Sequence, residues 1–117
     1  MRKSLTKAEI LRRRRDISHV FTSKDVHRVR GLHLRVISND LGWNRVLFAT
    51  TRHFSGSVAR NRARRLVREA YRQYKTQISG SVDLAFVLYP GSFGYSDRFS
   101  QVKTLLLRAG LIPAEQD

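Results

Sequence analysis

The 117-residue chain contains no cysteine, and this absence excludes several classes of protein. Without thiols there is no disulfide framework, no thiolate metal site and no cysteine nucleophile. No apolar run approaches the ~20 residues that a membrane span requires. The charged start, residues 1–7, is not followed by the apolar segment of a secretory signal. We therefore expect a single domain over residues 1–117 in a reducing compartment, the cytoplasm, with no membrane partner.

Acidic residues are also scarce, and this argues against chemistry carried by the chain itself. The nine Asp and Glu residues are scattered singly, whereas a metal-dependent nuclease clusters carboxylates around its ions. The four histidines lie on different predicted elements without the spacing of metal ligands. The segment at residues 91–94 contains two glycines but lacks the Lys-Ser/Thr of a phosphate-binding loop. We assign no catalytic residue and no metal ligand to this chain.

Basic residues are abundant and concentrated. The chain carries 23 Lys and Arg residues and a net charge of +14. Residues 1–15 and residues 60–75 each hold seven basic residues against one acid, so two short segments supply most of the excess. Arginine predominates, and its planar guanidinium meets phosphate with two hydrogen bonds and stacks on bases. This charge favours a nucleic acid partner over a generic acidic one.

Helical periodicity and capping signals predict three helices. A first helix is expected over residues 14–22, downstream of a capping-box spacing at Thr6 and Glu9. A last helix is expected to be capped by Ser96 or Asp97 and to end at Gly110. Upstream of the first helix, residues 1–12 form a basic leader whose order in the free protein the sequence leaves open.

Alternating and continuous apolar runs predict the strands. Residues 32–37 alternate as a half-buried strand does, and a shorter strand is expected around 25–30. A turn at 39–42 predicts that the run at 45–51 is the hairpin partner of the 32–37 strand. Residues 82–89 are almost continuously apolar, which is typical of a strand in the centre of a sheet. The order α-β-β-β-α-β-α with one mixed sheet indicates an α+β sandwich.

The middle helix, which Ser57 is expected to cap, has two contrasting faces. One side carries the apolar residues Ala59, Ala63, Leu66, Val67, Ala70, Tyr71 and Tyr74. An adjoining arc of roughly 140° carries Arg60, Asn61, Arg64, Arg65, Arg68, Arg72 and Lys75. Like charges four residues apart destabilise a helix, and only Glu69 offsets them. We infer that a polyanion, RNA or DNA, normally lies against this face.

The first helix offers a second candidate surface with two interpretations. Phe21 and Ile17 follow the run Arg12–Arg15 and resemble the aromatic and cationic platforms of single-stranded nucleic acid binders. The same spacing suits side chains of a hydrophobic core equally well. Both interpretations of Phe21 stay open at this point.

Residues 57–69, Ser-Val-Ala-Arg-Asn-Arg-Ala-Arg-Arg-Leu-Val-Arg-Glu, closely resemble the signature of the bacterial ribonuclease P protein subunit. The match is specific, because a dozen positions agree in residue type and order around Arg60, Asn61 and Arg62. The resemblance extends to the basic leader, to residues 16–21, to the apolar strand with Asp83 near its start, and to the last helix.

The resemblance implies a role as the small protein subunit of a ribozyme. That family assists a catalytic RNA in removing the 5′ leader of precursor tRNA by hydrolysis of a phosphodiester, with Mg²⁺ held mainly by the RNA. The chain is then an RNA-binding part of an endoribonuclease, a hydrolase, whose catalytic site lies outside the protein. The implied fold is a ribosomal-protein-like sandwich with a left-handed βαβ crossover. The implied partners are the catalytic RNA and precursor tRNA, with no obligate protein partner.

The resemblance also assigns site residues. The surface that docks on the catalytic RNA is expected to comprise Arg52, Arg60, Asn61, Arg62, Arg64, Arg65, Arg68 and Arg72. The surface that holds the single-stranded leader is expected to comprise Phe21, Ile17, Arg35, Arg12, Arg13 and Arg14.

The chain departs from the family pattern at the leader surface and before the middle helix. The family prefers aromatic residues where this chain has Ile17 and Arg35, so leader contacts are expected to rely more on charge. A Lys-rich, glycine-containing segment is replaced here by residues 51–56, in which Arg52 keeps the basic group and Gly56 the glycine. The leader sequence preference and the RNA architecture served are therefore left open.

Other functions are compatible with the charge alone. A structural, ribosomal-type RNA-binding protein would bind RNA without affecting cleavage of precursor tRNA. A DNA-binding regulator would need exposed base-reading side chains and dimer symmetry, and the sequence indicates neither. The number of protein copies in a holoenzyme and the positions of individual magnesium ions are not encoded in any visible pattern.

Overall fold

Three helices and four strands make up the computed structural model, which describes residues 4–114. In chain order they are α1 (Arg14–Val20), β1 (Val26–Val29), β2 (Leu32–Ser38), β3 (Arg45–Thr50), α2 (Ser57–Tyr74), β4 (Val82–Leu88) and α3 (Tyr95–Arg108). Short 3₁₀ turns at Lys7–Glu9 and Lys75–Gln77 flank this series. The α+β class and the predicted order of elements are confirmed. Arg2 and Lys3 of the basic leader lie outside the described residues.

The sheet has the order β1-β2-β4-β3 and mixes both strand directions. β1 and β2 form an antiparallel hairpin that turns at Gly31, whose φ of +87° suits glycine. β2 pairs antiparallel with β4, and β3 pairs parallel with β4. The predicted hairpin between the 32–37 and 45–51 strands is therefore wrong, because β4 lies between them. The prediction of a central β4 is correct.

Hydrogen bonds from the start of β4 explain why the 39–44 loop does not close a hairpin. The Ser81 hydroxyl accepts hydrogen bonds from the backbone N–H groups of Leu41 and Gly42, at 3.1 and 2.9 Å. The Asn44 side chain accepts one from the Val82 N–H at 2.8 Å. The loop thus crosses the end of β4 and carries β3 to its far side. Residue types within the loop indicate a turn but not which strand enters beside it.

The large hydrophobic core lies between one face of the sheet and the helices α2 and α3. It includes Phe86 of β4, Phe48 of β3 and Tyr71 of α2, whose rings lie 5.8 to 5.9 Å apart. From α3 it receives Val102, Leu105 and Leu106. The predicted apolar side of α2 is confirmed, since the helix buries Ala63, Val67, Ala70 and Tyr71.

The opposite face of the sheet carries α1 and a much smaller hydrophobic cluster. Leu11, Val20 and Ala85 are fully buried there, with Ile17, Ile37 and Leu47 packed around them. α1 is shorter than expected and ends at Val20, with Phe21 as its C-terminal cap. Beyond α1 this face of the sheet stays open.

The leader residues 4–11 pack against the sheet and α2. Ile10 forms an isolated parallel bridge with Val46, and the Leu11 N–H donates to the Val46 carbonyl at 2.9 Å. The Lys75 ammonium binds the Ser4 carbonyl at 2.7 Å and both oxygens of Glu9 at 3.0 Å. The described part of the leader therefore has a defined path along the β3 edge.

Two helix starts differ from the capping predictions. Ser57 is the first residue of α2, and Gly56 occupies the cap position. Gly94 is the N-cap of α3, and Asp97 accepts a hydrogen bond from the Gly94 N–H at 2.8 Å from inside the first turn. Neither Ser96 nor Asp97 is the cap itself. Both starts follow glycines, whose backbones enter the helix without a side-chain cap.

The segment β3-α2-β4 is the parallel crossover that the resemblance leads us to expect. Its left hand stays a prediction of that resemblance. None of the helices within residues 4–114 is long and apolar enough to cross a membrane.

Candidate nucleic-acid interface

The basic face of α2 borders β3, the edge strand of the sheet. We name the side chains of Arg60, Asn61, Arg64, Arg65, Arg68 and Arg72 the α2 ridge. The Arg64 guanidinium donates to the Asn61 carbonyl oxygen at 2.6 Å, and the guanidinium of Arg68 lies 5.8 Å from the centre of the Phe48 ring. These contacts hold two arginines against the helix and the strand. The ridge is therefore partly preorganised for an anion.

The ridge carries a large uncompensated charge. Glu69 is its only acid and pairs with Arg72. The guanidinium groups of Arg60 and Arg65 form no hydrogen bond or ion pair with any residue between 4 and 114. Since like charges recur every four residues, the surface costs helix stability unless an anion covers it.

Two predicted members of the RNA surface lie away from the ridge. Arg62 is on the other flank of α2, where its guanidinium donates to the Phe93 carbonyl at 3.2 Å and lines a cavity of about 260 Å³. Arg52 is exposed in the loop between β3 and α2. The geometry thus groups six of the eight residues on one surface, with these two beside it.

The end of α1 and strand β2 bring together two residues that are predicted to bind the RNA leader. Phe21 is 36% exposed and belongs to neither hydrophobic cluster, so its ring is available at the surface. The Arg35 guanidinium lies 5.8 Å from the centre of that ring and donates to the carbonyls of Phe21 and Ser23, at 3.3 and 3.0 Å. The arginine is thereby fixed beside the aromatic face, and the pair forms a cationic stacking platform.

The other residues that are predicted to bind the RNA leader are distributed along α1. Ile17 is half-buried and packs in the small cluster, so it supports the helix more than it presents a surface. Arg12, Arg13 and Arg14 are exposed at and before the start of α1. They lie toward the opposite end of the helix from Phe21. A ligand must run along α1 to touch both groups.

The open face of the sheet adds residues that the sequence analysis did not select. The strand register places Arg28 of β1 beside His33 of β2, and Val26 beside Arg35. His33 packs its ring against Tyr89, with 4.5 Å between ring centres. Burial and the neighbouring charges of Arg28 and Arg35 lower the pKa of His33. The lowered pKa favours the neutral imidazole, which offers a flat ring. Strand alternation in the sequence already predicts that His33 and Arg35 lie on the same face of β2. That Arg28 lies opposite His33 can be known only from the register between β1 and β2.

Four acidic side chains within residues 4–114 are paired with arginine or lysine. Asp83 is 3% exposed and receives hydrogen bonds from Arg45 at 2.7 and 2.8 Å, and Arg45 also reaches Asp16 at 3.1 Å. The hydrogen bond to Asp83 raises the pKa of Arg45, although burial opposes it. This network joins α1, β3 and β4, which gives Asp83 a structural role.

The donor set does not suit a bound divalent cation. Within the described range, no three His, Asp or Glu side chains gather into a group that could hold a metal ion. The carboxylates of Asp16, Asp83, Glu9 and Glu69 are each paired with an arginine or a lysine.

An exposed tryptophan was also missed. Trp43 lies in the 39–44 loop and is 45% exposed, beside a cavity lined by basic residues of the leader. Its sequence neighbours are turn residues, and nothing in the local pattern connects it with residues 7–15. The contact depends on the docking of the leader against β3.

Comparisons with known proteins agree with this architecture. A family model described as ribonuclease P matches residues 5–110. The ribonuclease P protein component of Borrelia duttonii is 31% identical over 97 residues, which is 82% of this chain and 83% of that protein. The corresponding protein of Borreliella burgdorferi is 35% identical over 98 residues, covering 80% and 82% of the two chains.

Solved structures show the same fold. The RNase P protein of Staphylococcus aureus superimposes with a TM-score of 0.78 at 17% identity, covering 92% of this chain and 100% of that one. The RNase P protein of Thermotoga maritima superimposes with a TM-score of 0.75 at 23% identity, covering 86% and 96%. With a family model spanning nearly its whole length, the chain belongs to the ribonuclease P protein family.

Proposed function

We propose that this chain is the RNA-binding subunit of a ribonuclease P holoenzyme and assists its catalytic RNA in removing the 5′ leader of precursor tRNA. The observation that carries the proposal is the presence of two separate basic surfaces on one small domain. The α2 ridge lies at the β3 edge, and the Phe21–Arg35 platform lies on the opposite face of the sheet. Two surfaces allow one protein to contact two RNA segments at once.

The chemistry of each surface supports a different partner. The α2 ridge offers arginine donors with little aromatic surface, which suits the phosphate backbone of a folded RNA. The platform offers an exposed ring beside a fixed guanidinium, which suits unpaired bases. We therefore assign the catalytic RNA to the ridge, with Arg52 and Arg62 at its margins, and the leader to the platform.

Catalysis itself is assigned to the RNA. Hydrolysis of the phosphodiester requires Mg²⁺, which supplies charge stabilisation and an activated water when bound. The carboxylates of Glu9, Asp16, Glu69 and Asp83 are paired with arginine or lysine, so we place the metal ions on the RNA. The protein contributes binding and orientation of the leader and lowers the repulsion between two polyanions. A cytoplasmic location and the absence of an obligate protein partner belong to the same proposal.

The deciding experiment reconstitutes the full chain with a bacterial ribonuclease P RNA and a precursor tRNA at low Mg²⁺ concentration. We expect faster 5′ maturation than with the RNA alone, because the protein replaces part of the charge screening that Mg²⁺ provides. A precursor with a single-nucleotide leader is the matched substrate control and should gain less. Tight binding to the RNA without any stimulation would contradict the proposal and favour a structural, ribosomal-type RNA-binding protein.

A further inference from the structure

We propose that Trp43 is a second base-stacking site, at which the indole ring binds one unpaired RNA base at the end of α1 remote from Phe21. The proposal extends the leader path and rests on the proposed function only for the identity of the strand. The ligand chemistry is that of a single-stranded nucleotide, with a base on the ring and phosphates on nearby cations.

Trp43 forms one wall of an open, largely polar cavity of about 480 Å³. The cavity is also lined by Lys7, Ala8, Arg12, Arg13 and Arg15. It lies where the N-terminal end of α1 meets the loop between β2 and β3. An exposed aromatic ring among flexible cations is the combination that single-stranded nucleic acid binders use.

The indole is held in a fixed orientation. Its Nε1–H donates to the Ala8 carbonyl at 2.9 Å, so the polar edge of the ring is satisfied by the protein. The side chain is nevertheless 45% exposed, and it belongs to neither hydrophobic cluster. A tryptophan that served only to fill the core would bury its ring, whereas this one leaves much of its surface to solvent.

The loop that carries Trp43 is ordered by side-chain hydrogen bonds. Asn39 donates from its amide to the Trp43 carbonyl at 3.1 Å, and its side-chain oxygen accepts from the Leu41 N–H at 2.9 Å. Ser81 binds the N–H groups of Leu41 and Gly42. A base that stacks here therefore costs little entropy in ordering the protein.

The charge at this cavity is available for phosphates. Arg45 also lines the cavity but is neutralised by Asp83 and Asp16. Lys7, Arg12, Arg13 and Arg15 are exposed, and their charged groups form no hydrogen bond or ion pair with any described residue. Four free cations around one fixed ring give the site its preference for a polyanion over an apolar peptide.

The position of the cavity relates it to the Phe21 platform. α1 contains seven residues, about 10 Å of helix, with Phe21 at one end and the Trp43 cavity at the other. A single strand that stacks on Phe21 and follows the basic start of α1 arrives at Trp43. The two rings can thus contact the same strand a few nucleotides apart.

The first test uses the fluorescence of Trp43 as the probe, because it is the single tryptophan of the chain. The full-length protein is titrated with an unstructured single-stranded RNA oligonucleotide and, in parallel, with a blunt-ended RNA duplex, and its tryptophan emission is recorded in both titrations. We expect quenching and protection from acrylamide with the single strand, and little change with the duplex. Saturated binding of the single strand without a change in emission or acrylamide access would overturn the proposal.

The second test compares Trp43→Phe with Trp43→Leu by anisotropy of a dye-labelled oligonucleotide. Both variants lack the hydrogen bond to Ala8, and only Phe keeps an aromatic face. The pair therefore separates base stacking from anchoring of the protein's own N-terminal residues 4–11. We expect Trp43→Leu to weaken binding roughly 5- to 150-fold and Trp43→Phe to retain most of the affinity. An equal loss in both variants, with unchanged thermal unfolding, would overturn stacking.

A third set of titrations identifies the strand. Precursor tRNA with an extended leader, mature tRNA without one, and the catalytic RNA alone are each added to the protein. Quenching that requires the leader assigns the base to the substrate, and quenching by the catalytic RNA alone assigns it to the ribozyme. Either result supports the site, and no quenching by any of the three overturns it. Because emission does not depend on cleavage, failure of the proposed function would be seen separately as absent stimulation.

Discussion

The two faces of the sheet differ sharply in how much hydrophobic surface they bury. Within residues 4–114, the face under α2 and α3 buries eighteen residues in one continuous core. The face under α1 buries only Leu11, Val20 and Ala85 and leaves Phe21 and Arg35 accessible. A small domain cannot spread one core over both faces and still present aromatic groups to a ligand. The comparison shows that this chain concentrates its packing on one side of the sheet and leaves side chains accessible on the other.

The largest expected effect of a single substitution lies in the large core. Phe86 is fully buried and its ring contacts those of Phe48 and Tyr71. Phe86→Ala should cost about 3–5 kcal/mol in the free energy of unfolding because it removes the aromatic contacts and leaves a cavity. Urea denaturation followed by circular dichroism measures this loss. A loss below about 1 kcal/mol would mean that the two faces share stability more evenly than their burial indicates.

Neutralising the α2 ridge should affect RNA binding without affecting the core. Replacement of Arg60, Arg64 and Arg68 by Gln should flatten the dependence of log affinity on log salt by about 0.7 to 0.9 for each phosphate that is no longer neutralised. Unfolding should change little, or stability should rise by a few tenths of a kcal/mol per like-charge pair removed. Filter binding to the catalytic RNA at several salt concentrations measures the slope.

The matched control for the ridge is Arg30→Gln combined with Arg108→Gln, which removes charge outside α2. We expect a smaller change in slope per charge removed. An equal change per charge would show that the overall charge, and not the ridge, determines where the RNA docks.

Phe21→Ala tests whether the α1 face is a binding surface. If the ring stacks on a leader base, the affinity for precursor tRNA should fall by roughly 1–3 kcal/mol while that for leaderless tRNA is unchanged. Stability should fall by less than the leader affinity, since the ring lies outside both clusters. The two binding constants come from competition with a labelled precursor. A loss of folding that equals the loss of binding would favour the core interpretation of Phe21.

The smallest expected effect is a pH dependence of the free energy of unfolding, caused by the contact between Glu9 and Lys75. Burial opposes ionisation of Glu9, but the Thr6 N–H and Lys75 outweigh it and lower the pKa of the carboxyl. A lowered folded-state pKa contributes stability above the unfolded value that is lost as the pH falls. Between about pH 6 and pH 3, the wild type should therefore lose more stability than Glu9→Gln. Parallel urea titrations at the two pH values check this, and identical losses would contradict a stabilising Glu9–Lys75 pair.

Local patterns predicted most of the elements because helix and strand periods are properties of neighbouring residues. The start of α1, the faces of α2 and the central position of β4 followed from such patterns. The pairing of β2 with β4 did not, since it depends on Ser81 and Asn44, which are 37 positions apart in the sequence. The cap positions were wrong because glycines preceded the polar residues that usually supply caps.

The sequence predicted the residues of the candidate site that are neighbours on one helix. It missed those that only tertiary contacts bring together. The α2 ridge is visible on a helical wheel. Trp43 becomes part of a basic surface only because the protein's N-terminal residues pack beside it. Arg98 shows the converse: it is 2% exposed and its guanidinium lies 4.5 Å from the centre of the Phe93 ring, although the residue type predicts an exposed position. Backbone carbonyls of Gly31 and Tyr89 accept its hydrogen bonds, and sequence patterns do not report such acceptors.

The insertion of β4 between β2 and β3 has a consequence for synthesis of the chain. Until residues 82–88 leave the ribosome, β3 has no strand to pair with and β2 is paired only with β1. α2 is complete before that strand exists, yet its apolar side needs the finished sheet for burial. The sheet therefore assembles late, through contacts between distant parts of the chain, which favours slow folding. A chain that stops before residue 82 exposes open strand edges, and these are sites of aggregation.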